Sequence, residues 1–226
     1  MSTQPVRKIS SCLATVENLP EGGMITIPDV TWDEYEQLLA DLGDRPGKRV
    51  NYDRGRLWIM SPSQYQEMYT SLLLRIALYT VDALGYYLES RGSATFKKKS
   101  FPGGMEPDTC FFIQNASRII GKRKLDPHLD PPPDVIVEID ISSGSLYKLD
   151  FYADLGAPEI WPFDEKRLQI LHLTEQGYVE ATTSRALPVL TADALTQFLE
   201  QSKTEGQSAA LRSFRRWLRD NLPGAS

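Results

Sequence analysis

The chain has 226 residues, of which 41% are hydrophobic and 24% are charged, and its formal net charge is −5. This is the composition of an ordinary globular protein, long enough to bury a sizeable core in one domain with decorations. The negative charge argues against a strong, sequence-independent polyanion binder, but it is compatible with an enzyme that contacts nucleic acid through a local basic patch.

The cellular compartment is suggested by three properties of the sequence. No apolar run approaches the roughly 20 residues that a membrane span requires. The N-terminal segment MSTQPVRKIS lacks the apolar core of a signal peptide. The two cysteines, Cys12 and Cys110, are too few for a disulfide framework, and Cys110 lies among apolar residues as a small core residue would. We therefore expect a cytoplasmic protein that does not contact a membrane.

The N-terminal part of the chain predicts an edge strand, a helix and a hairpin. Residues 1–29 are punctuated by Gly and Pro, which is typical of an arm or an edge strand. Thr31 is expected to cap a helix that runs to Leu42, because Glu34 lies three residues on and completes a capping box. The segment VNYDRGRLWIM predicts a hairpin that turns at Asp53-Arg54-Gly55.

A long helix should follow the hairpin. Ser61 is predicted to be its N-cap, with Pro62 at the first helical position and Gln64 as the reciprocal partner. An apolar stripe at helical spacing continues to about Leu84, and Gly85 is the expected stop.

The remainder of the chain alternates strands and helices. Strands are predicted at Tyr86–Glu89, Ala94–Lys98, Asp108–Ile113, Val135–Ile141, Glu159–Phe163, Arg167–Leu173 and Tyr178–Thr182, with a turn at Gly103-Gly104. Helices are predicted at residues 146–155, 191–200 and near 209–218. This order indicates an α/β or α+β fold with a central mixed β-sheet flanked by helices. We expect an N-terminal arm and short helix at 1–44, a core at 45–185 and a C-terminal helical extension at 186–226, all within a single domain.

The segment VIVEIDI, residues 135–141, is the strongest strand signal. It is unusual because it combines apolar residues with two carboxylates. Residues two apart on a strand share a face, so Glu138 and Asp140 point one way while Val137 and Ile139 point the other. An unpaired buried carboxylate costs several kcal/mol, so the acidic face must meet a cation, hydrogen-bond donors or water. The alternative is a solvated face that pairs with Lys or Arg.

Two further residues flank this strand in the sequence. Asp108 stands at the mouth of another strand, where Pro107 marks a strand beginning. Lys148 lies in the first turns of the helix that follows VIVEIDI. Aspartate and glutamate oxygens are the ligands that Mg²⁺ prefers, and a nearby Lys can orient an attacking water or offset developing charge. The pattern is therefore compatible with a site for a hard divalent ion.

The segments EPDTCFF, PPPDVIVEIDISS and YKLDFYADLGAPEIW, together with GRLWIMSPS, resemble the Uma-type family of restriction endonucleases. That family belongs to the PD-(D/E)XK nuclease superfamily. The resemblance covers most of residues 45–218, and the tail SFRRWLRD resembles the closing helix of one subgroup. It implies a restriction-endonuclease-like core and an enzyme that hydrolyses DNA with Mg²⁺ or Mn²⁺ as cofactor.

The resemblance also assigns roles to individual residues. Asp108 matches the metal-binding Asp of the "PD" element, and Glu138 matches the second metal ligand. The superfamily's lysine normally follows two residues later, where this chain has Asp140, and the family supplies Lys148 from the next helix instead. Glu67 matches an acidic position that can help to hold the metal. Asp140 is then a further ligand through water, or a partner that fixes Lys148.

Three hypotheses follow for the function. The first is a metal-dependent endonuclease acting on DNA, with positive surface near Lys97–Lys99 meeting the phosphate backbone. The second is a binding or regulatory module that keeps the nuclease fold without turnover, because Gln66 stands where the family often has His and Asp140 where the superfamily has Lys. The third is a structural oligomer, such as a homodimer, whose acidic face pairs with a partner chain.

Several other features are expected to be structural. The clusters at residues 122–124 and 212–219 are interpreted as solvated basic surface. His128 and His172 lie far apart in the sequence, which argues against a zinc site. Core packing is favoured over base stacking for five aromatic residues: Trp58, Tyr65, Tyr69, Tyr152 and Trp161.

Overall fold

The structure is a computed structural model that describes residues 16, 18–43, 47–98, 102–126, 129–139 and 146–222. The chain divides into two compact units. The first comprises Met1–Gln64 and Thr95–Glu106, and the second comprises Tyr65–Ala94 and Pro107–Ser226. The predicted boundaries after residues 44 and 185 stay a prediction.

Eleven strands and six helices are formed by the described residues. The strands are β1 (Met24–Ile27), β2 (Arg49–Asp53), β3 (Arg56–Met60), β4 (Glu89–Ser90), β5 (Phe96–Lys98), β6 (Gly103–Met105), β7 (Thr109–Phe112), β8 (Val135–Ile139), β9 (Glu159–Phe163), β10 (Ile170–Thr174) and β11 (Gly177–Ala181). The helices are α1 (Trp32–Leu42), α2 (Gln64–Leu84), α3 (Ala116–Ile119), α4 (Leu146–Leu155), α5 (Ala192–Glu205) and α6 (Gln207–Asn221).

The first unit contains an antiparallel sheet in the order β1-β3-β2-β6-β5. The predicted edge strand, helix and hairpin are all present there. The capping box forms at α1, with the Thr31 side chain accepting from the N–H of Glu34 and the Glu34 carboxylate accepting from the N–H of Thr31. Arg54 and Gly55 both have positive φ, which is the backbone of the tight turns that join hairpin strands.

The predicted turn at Gly103-Gly104 is wrong, because both residues lie in β6. The role of Gly104 is to let the strand approach a tyrosine. A Cβ placed on Gly104 would lie 2.0 Å from the Oη of Tyr35, so only glycine fits beneath that ring. Tyr35 is fully buried and stacks on Tyr52 with ring centroids 4.9 Å apart.

The second unit contains a mixed sheet in the order β11-β10-β9-β8-β7-β4. It is mixed because β8 and β9 run parallel, with α4 in the connection between them, while the other pairs are antiparallel. Val135, Val137 and Ile139 on β8 belong to a core that also contains residues of α2, α5 and α6. The predicted fold class is confirmed, with an additional antiparallel sheet in the first unit.

The long helix begins later than its sequence signals suggest. Ser61 is not its N-cap, because α2 starts at Gln64 and the N–H and C=O of Ser61 instead pair with the backbone of Gly23 and Gly22. The carboxylate of Glu21 accepts the hydrogen bond from the N–H of Gln64, a contact between residues far apart in the sequence. The helix ends at Leu84 as predicted, followed by Gly85 with positive φ.

In the described part of the chain, no helix combines the length and the apolar composition needed to cross a bilayer. The described portion of β8 ends at Ile139. The predicted continuation of that strand through Asp140 and the cap-rich turn at 142–145 lie outside the described residues.

Candidate active site

The pairing of β7 with β8 places Asp108 beside Glu138. The antiparallel register aligns Thr109 with Val137, so its extension by one residue sets Asp108 opposite Glu138. The backbone N–H of Ile139 donates to Oδ2 of Asp108 over 2.6 Å. Both carboxylates are buried, with exposed fractions of 4% for Asp108 and 1% for Glu138. Two predicted metal ligands are therefore neighbours in the second unit.

Glu138 is held by two donors from α4. The ammonium Nζ of Lys148 lies 2.6 Å from Oε2 of Glu138, and the hydroxyl of Tyr152 donates to Oε1. Lys148 and Tyr152 are four residues apart on one helix, a spacing that brings two side chains to the same face. Glu138 is therefore covered by a helix. The alternative was wrong in expecting a solvated carboxylate, but the pairing with Lys that it expected is observed.

The ion pair between Glu138 and Lys148 is stable in the protein interior only when hydrogen bonds also satisfy its remaining polar atoms. Removing a carboxylate and an ammonium from water costs several kcal/mol for each ion, which their attraction offsets only with good geometry and further hydrogen bonds. Lys148 is 6% exposed, and the Tyr152 hydroxyl satisfies the second oxygen of Glu138. The four residues Asp108, Glu138, Lys148 and Tyr152 are called the Glu138 site below.

The start of α2 places Gln66 against the end of β8. Gln66 is buried, and its side-chain amide donates to the carbonyl of Ile139 over 3.4 Å, next to Glu138 in the chain. Glu67, the predicted additional ligand, is exposed in the first turn of α2. Gln66 therefore helps to fix the end of β8.

The donor chemistry of the Glu138 site fits a hard divalent cation in part. Mg²⁺ usually takes one or two carboxylates and completes its shell with water and phosphate oxygens, and Asp108 and Glu138 supply two carboxylates. Among the described residues, no three His, Cys, Asp or Glu side chains are grouped closely enough to hold a metal ion. Asp140, the remaining candidate, lies outside the described residues. Lys148 and Tyr152 each occupy one acceptor position on Glu138, so a metal would share this carboxylate with them or displace one of them.

The structure describes only some of the other basic and imidazole side chains that the sequence singled out. Lys97 donates to Glu36 over 2.9 Å in the first unit, while Lys99 and His128 lie outside the described residues. His172 is in β10, with its Nε2 3.4 Å from the buried carboxylate of Glu159.

The aromatic residues divide as core packing predicts, with one exception. Trp58, Tyr69, Tyr152 and Trp161 are buried, whereas Tyr65 is 55% exposed. Sequence reasoning missed the contact between Tyr152 and Glu138. The signal that could have found it is the four-residue spacing from Lys148, which places a hydroxyl beside the expected ammonium.

The model of the Uma2 family, described as "Putative restriction endonuclease", matches residues 32–202. A search of curated proteins found no match.

Among solved structures, the chain is similar to a putative nuclease belonging to DUF820 from Anabaena variabilis. The two share 18% sequence identity with a TM-score of 0.53, over 75% of this chain and 99% of that one, which supports a common fold. The type IIG restriction endonuclease BpuSI aligns with 70% of this chain and 16% of its own at 9% identity. Its TM-score of 0.37 is too low to support an argument about the fold.

Proposed function

Since the chain belongs to the Uma2 family of putative restriction endonucleases, we propose that it is a metal-dependent endonuclease that hydrolyses phosphodiester bonds of DNA. The observation that carries the proposal is the meeting of Asp108, Glu138 and Lys148. These residues come from two strands and a helix, and their charges are held together in a buried site.

Asp108 and Glu138 would hold Mg²⁺ or Mn²⁺, with Glu67 and Asp140 as further candidate ligands. A bound divalent ion supplies a water of lowered pKa and neutralises charge on the phosphate. The N–H of Ile139 orients Asp108, and Tyr152 orients Glu138. Lys148 is the positive group that can position the attacking water or stabilise the charge that develops on the phosphate oxygens. Water adds to phosphorus and one P–O ester bond breaks, which leaves a phosphate monoester and a hydroxyl end.

The proposal is tested by nicking of supercoiled plasmid with Mg²⁺ or Mn²⁺. Glu138→Gln and Lys148→Met should each lower the nicking rate by on the order of a hundredfold or more, as loss of a group that stabilises transition-state charge does. Asp150→Asn is the matched control, because Asp150 is exposed on α4 and should leave the rate unchanged. Equal rates in the wild type and both site variants would identify the activity as contamination and refute the proposal.

A binding or regulatory module without turnover is the second candidate. The observation that favours it is the engagement of both Glu138 oxygens by Lys148 and Tyr152, which leaves fewer acceptor positions for a metal. This candidate predicts that the wild type binds DNA and does not nick it with either metal. The third hypothesis was a structural oligomer in which a partner chain compensates the acidic face. At Glu138 the compensating charge comes from Lys148 of the same chain, so no partner is needed there.

A further inference from the structure

Helix α6 carries four arginines on one face. Arg212, Arg215, Arg216 and Arg219 follow one another at intervals of three, one and three residues, which places them within about 100° of arc on a helix of 3.6 residues per turn. All four are exposed. We call these residues the arginine face.

The opposite side of the same helix is fixed in the core of the second unit. Ala210, Leu211, Phe214 and Leu218 are buried there. Arg215 is also held in place, since its guanidinium lies 4.9 Å from the ring centroid of Tyr79 on α2. The arginine face is therefore presented by a helix that cannot turn away from solvent without breaking the core.

The charge of this face is not neutralised locally. Within the described chain, none of its four guanidinium groups has a carboxylate within ion-pair distance. The only acidic residue in α6 is Asp220, near the end of the helix. A concentration of four positive charges is notable in a chain whose net charge is −5.

The face lies on a different side of the sheet from the Glu138 site. Side chains of β8 alternate, and Val137 and Ile139 belong to the core that includes α6, whereas Glu138 points to α4. The match to the Uma2 family also ends at residue 202, before α6 begins at Gln207. The arginine face thus lies outside the segment that matches the family and is separate from the candidate active site.

We propose that the arginine face binds the phosphodiester backbone of duplex DNA. The four arginines span about 10 Å along α6 at 1.5 Å per residue, and a duplex presents about six phosphate charges over that length. Guanidinium groups suit this partner because they bind phosphate oxygens in pairs and hold their charge at every accessible pH. An anionic lipid surface is the less suitable partner, because membrane binding needs an exposed apolar face and that of α6 is buried.

The inference does not rest on hydrolysis, so binding is measured in EDTA with the full chain. Duplex DNA affinity is recorded over a salt series for the wild type and for the triple variant Arg212→Gln, Arg216→Gln and Arg219→Gln. Arg215 is kept because it contacts Tyr79. The slope of log affinity against log salt should become shallower by about 2 to 3, since each phosphate contact contributes about 0.9.

Two control variants make the result specific. The matching triple Arg→Lys variant should keep the wild-type slope to within about one unit, because charge is conserved. Replacing Lys122, Arg123 and Lys124 by Gln removes three exposed charges elsewhere in the second unit and should leave the slope unchanged. Circular dichroism verifies folding, and if the triple Gln variant is unfolded, single Arg212→Gln and Arg216→Gln should each reduce the slope by about 1.

Several results would overturn the proposal. They are failure of the wild type to bind DNA in EDTA, an unchanged slope in the triple Gln variant, and an equal loss in the 122–124 variant. Binding of the wild type to phosphatidylserine vesicles that is lost in the triple Gln variant, with DNA affinity unaffected, would assign the face to lipid instead. Absence of plasmid nicking refutes the proposed function and leaves this inference standing.

Discussion

The ammonium of Lys148 lies 2.6 Å from the Glu138 carboxylate, and both side chains are almost completely buried. A lysine on a helix thereby compensates an acid on a core strand ten residues earlier. The pair explains how β8 can carry a carboxylate among apolar residues. It also makes the stability of the second unit depend on the residues proposed to act on substrate.

Lys148→Met should lower the free energy of unfolding by about 3–5 kcal/mol, because it leaves Glu138 as an uncompensated buried charge. The double variant Glu138→Gln with Lys148→Met should recover much of that loss, since neither charge is then buried. Urea unfolding measures both values. Lys166→Met, at an exposed position, is the control and should change stability little. Equal destabilisation of the single and double variants would show that the charge of Glu138 is not the cause.

Tyr152→Phe should alter metal binding as well as stability. The variant loses a hydrogen bond to a charged acceptor, which contributes about 1.5–3 kcal/mol. It also frees Oε1 of Glu138, so Mn²⁺ should bind several-fold more tightly when titrated in a calorimeter.

The control for Tyr152 is Tyr178→Phe. Tyr178 donates to the carbonyl of Ala157 over 2.6 Å, so this variant also loses a tyrosine hydrogen bond but leaves Glu138 untouched. Its Mn²⁺ affinity should equal that of the wild type. Unchanged or weaker Mn²⁺ binding by Tyr152→Phe would contradict competition between Tyr152 and the metal.

Gly104→Ala should destabilise the first unit by about 1–3 kcal/mol or more, as overpacking of a core does. The new Cβ would meet the Tyr35 hydroxyl at 2.0 Å and the ring carbon behind it at 2.6 Å. Tyr35→Phe alone should cost little, because that buried hydroxyl has no hydrogen-bond partner among the described residues. The double variant should be more stable than Gly104→Ala. Thermal unfolding of the three variants checks this order, and a double variant no better than the single one would show that contact with the hydroxyl is not the main cause of the destabilisation.

Cys110 should resist thiol reagents in the folded protein. Burial raises the pKa of its thiol to about 12, so almost no reactive thiolate forms at mildly alkaline pH. In a Cys12→Ser background, labelling with a disulfide reagent should be slow in buffer and fast in concentrated urea. Rapid labelling without urea would show that β7 is accessible in the native state.

The candidate site was largely predictable at the level of single residues but only partly at the level of contacts. Alternation along VIVEIDI placed Glu138 on a different face from Val137 and Ile139, and this is observed. The family resemblance pointed to Asp108 and Lys148, which the structure brings to Glu138, while their chemical roles stay a prediction. The hydrogen bond from Tyr152 to Glu138 had no unambiguous sequence signal, since a tyrosine at helical spacing is most often a packing residue.

The sequence by itself determined the local features: the capping box of Thr31 and Glu34, the hairpin turn at Arg54-Gly55, and the helix end at Gly85. Each depends on residues within about four positions of one another, so the signal is complete in a short segment. Only the tertiary structure decided three other features. Glu21, and not Ser61, accepts the hydrogen bond from the N–H of Gln64 at the start of α2. Gly104 leaves room for the ring of Tyr35. Asp108 accepts a hydrogen bond from the N–H of Ile139, 31 residues away. These contacts follow from strand pairing and packing between distant segments, which no local pattern of residue types specifies.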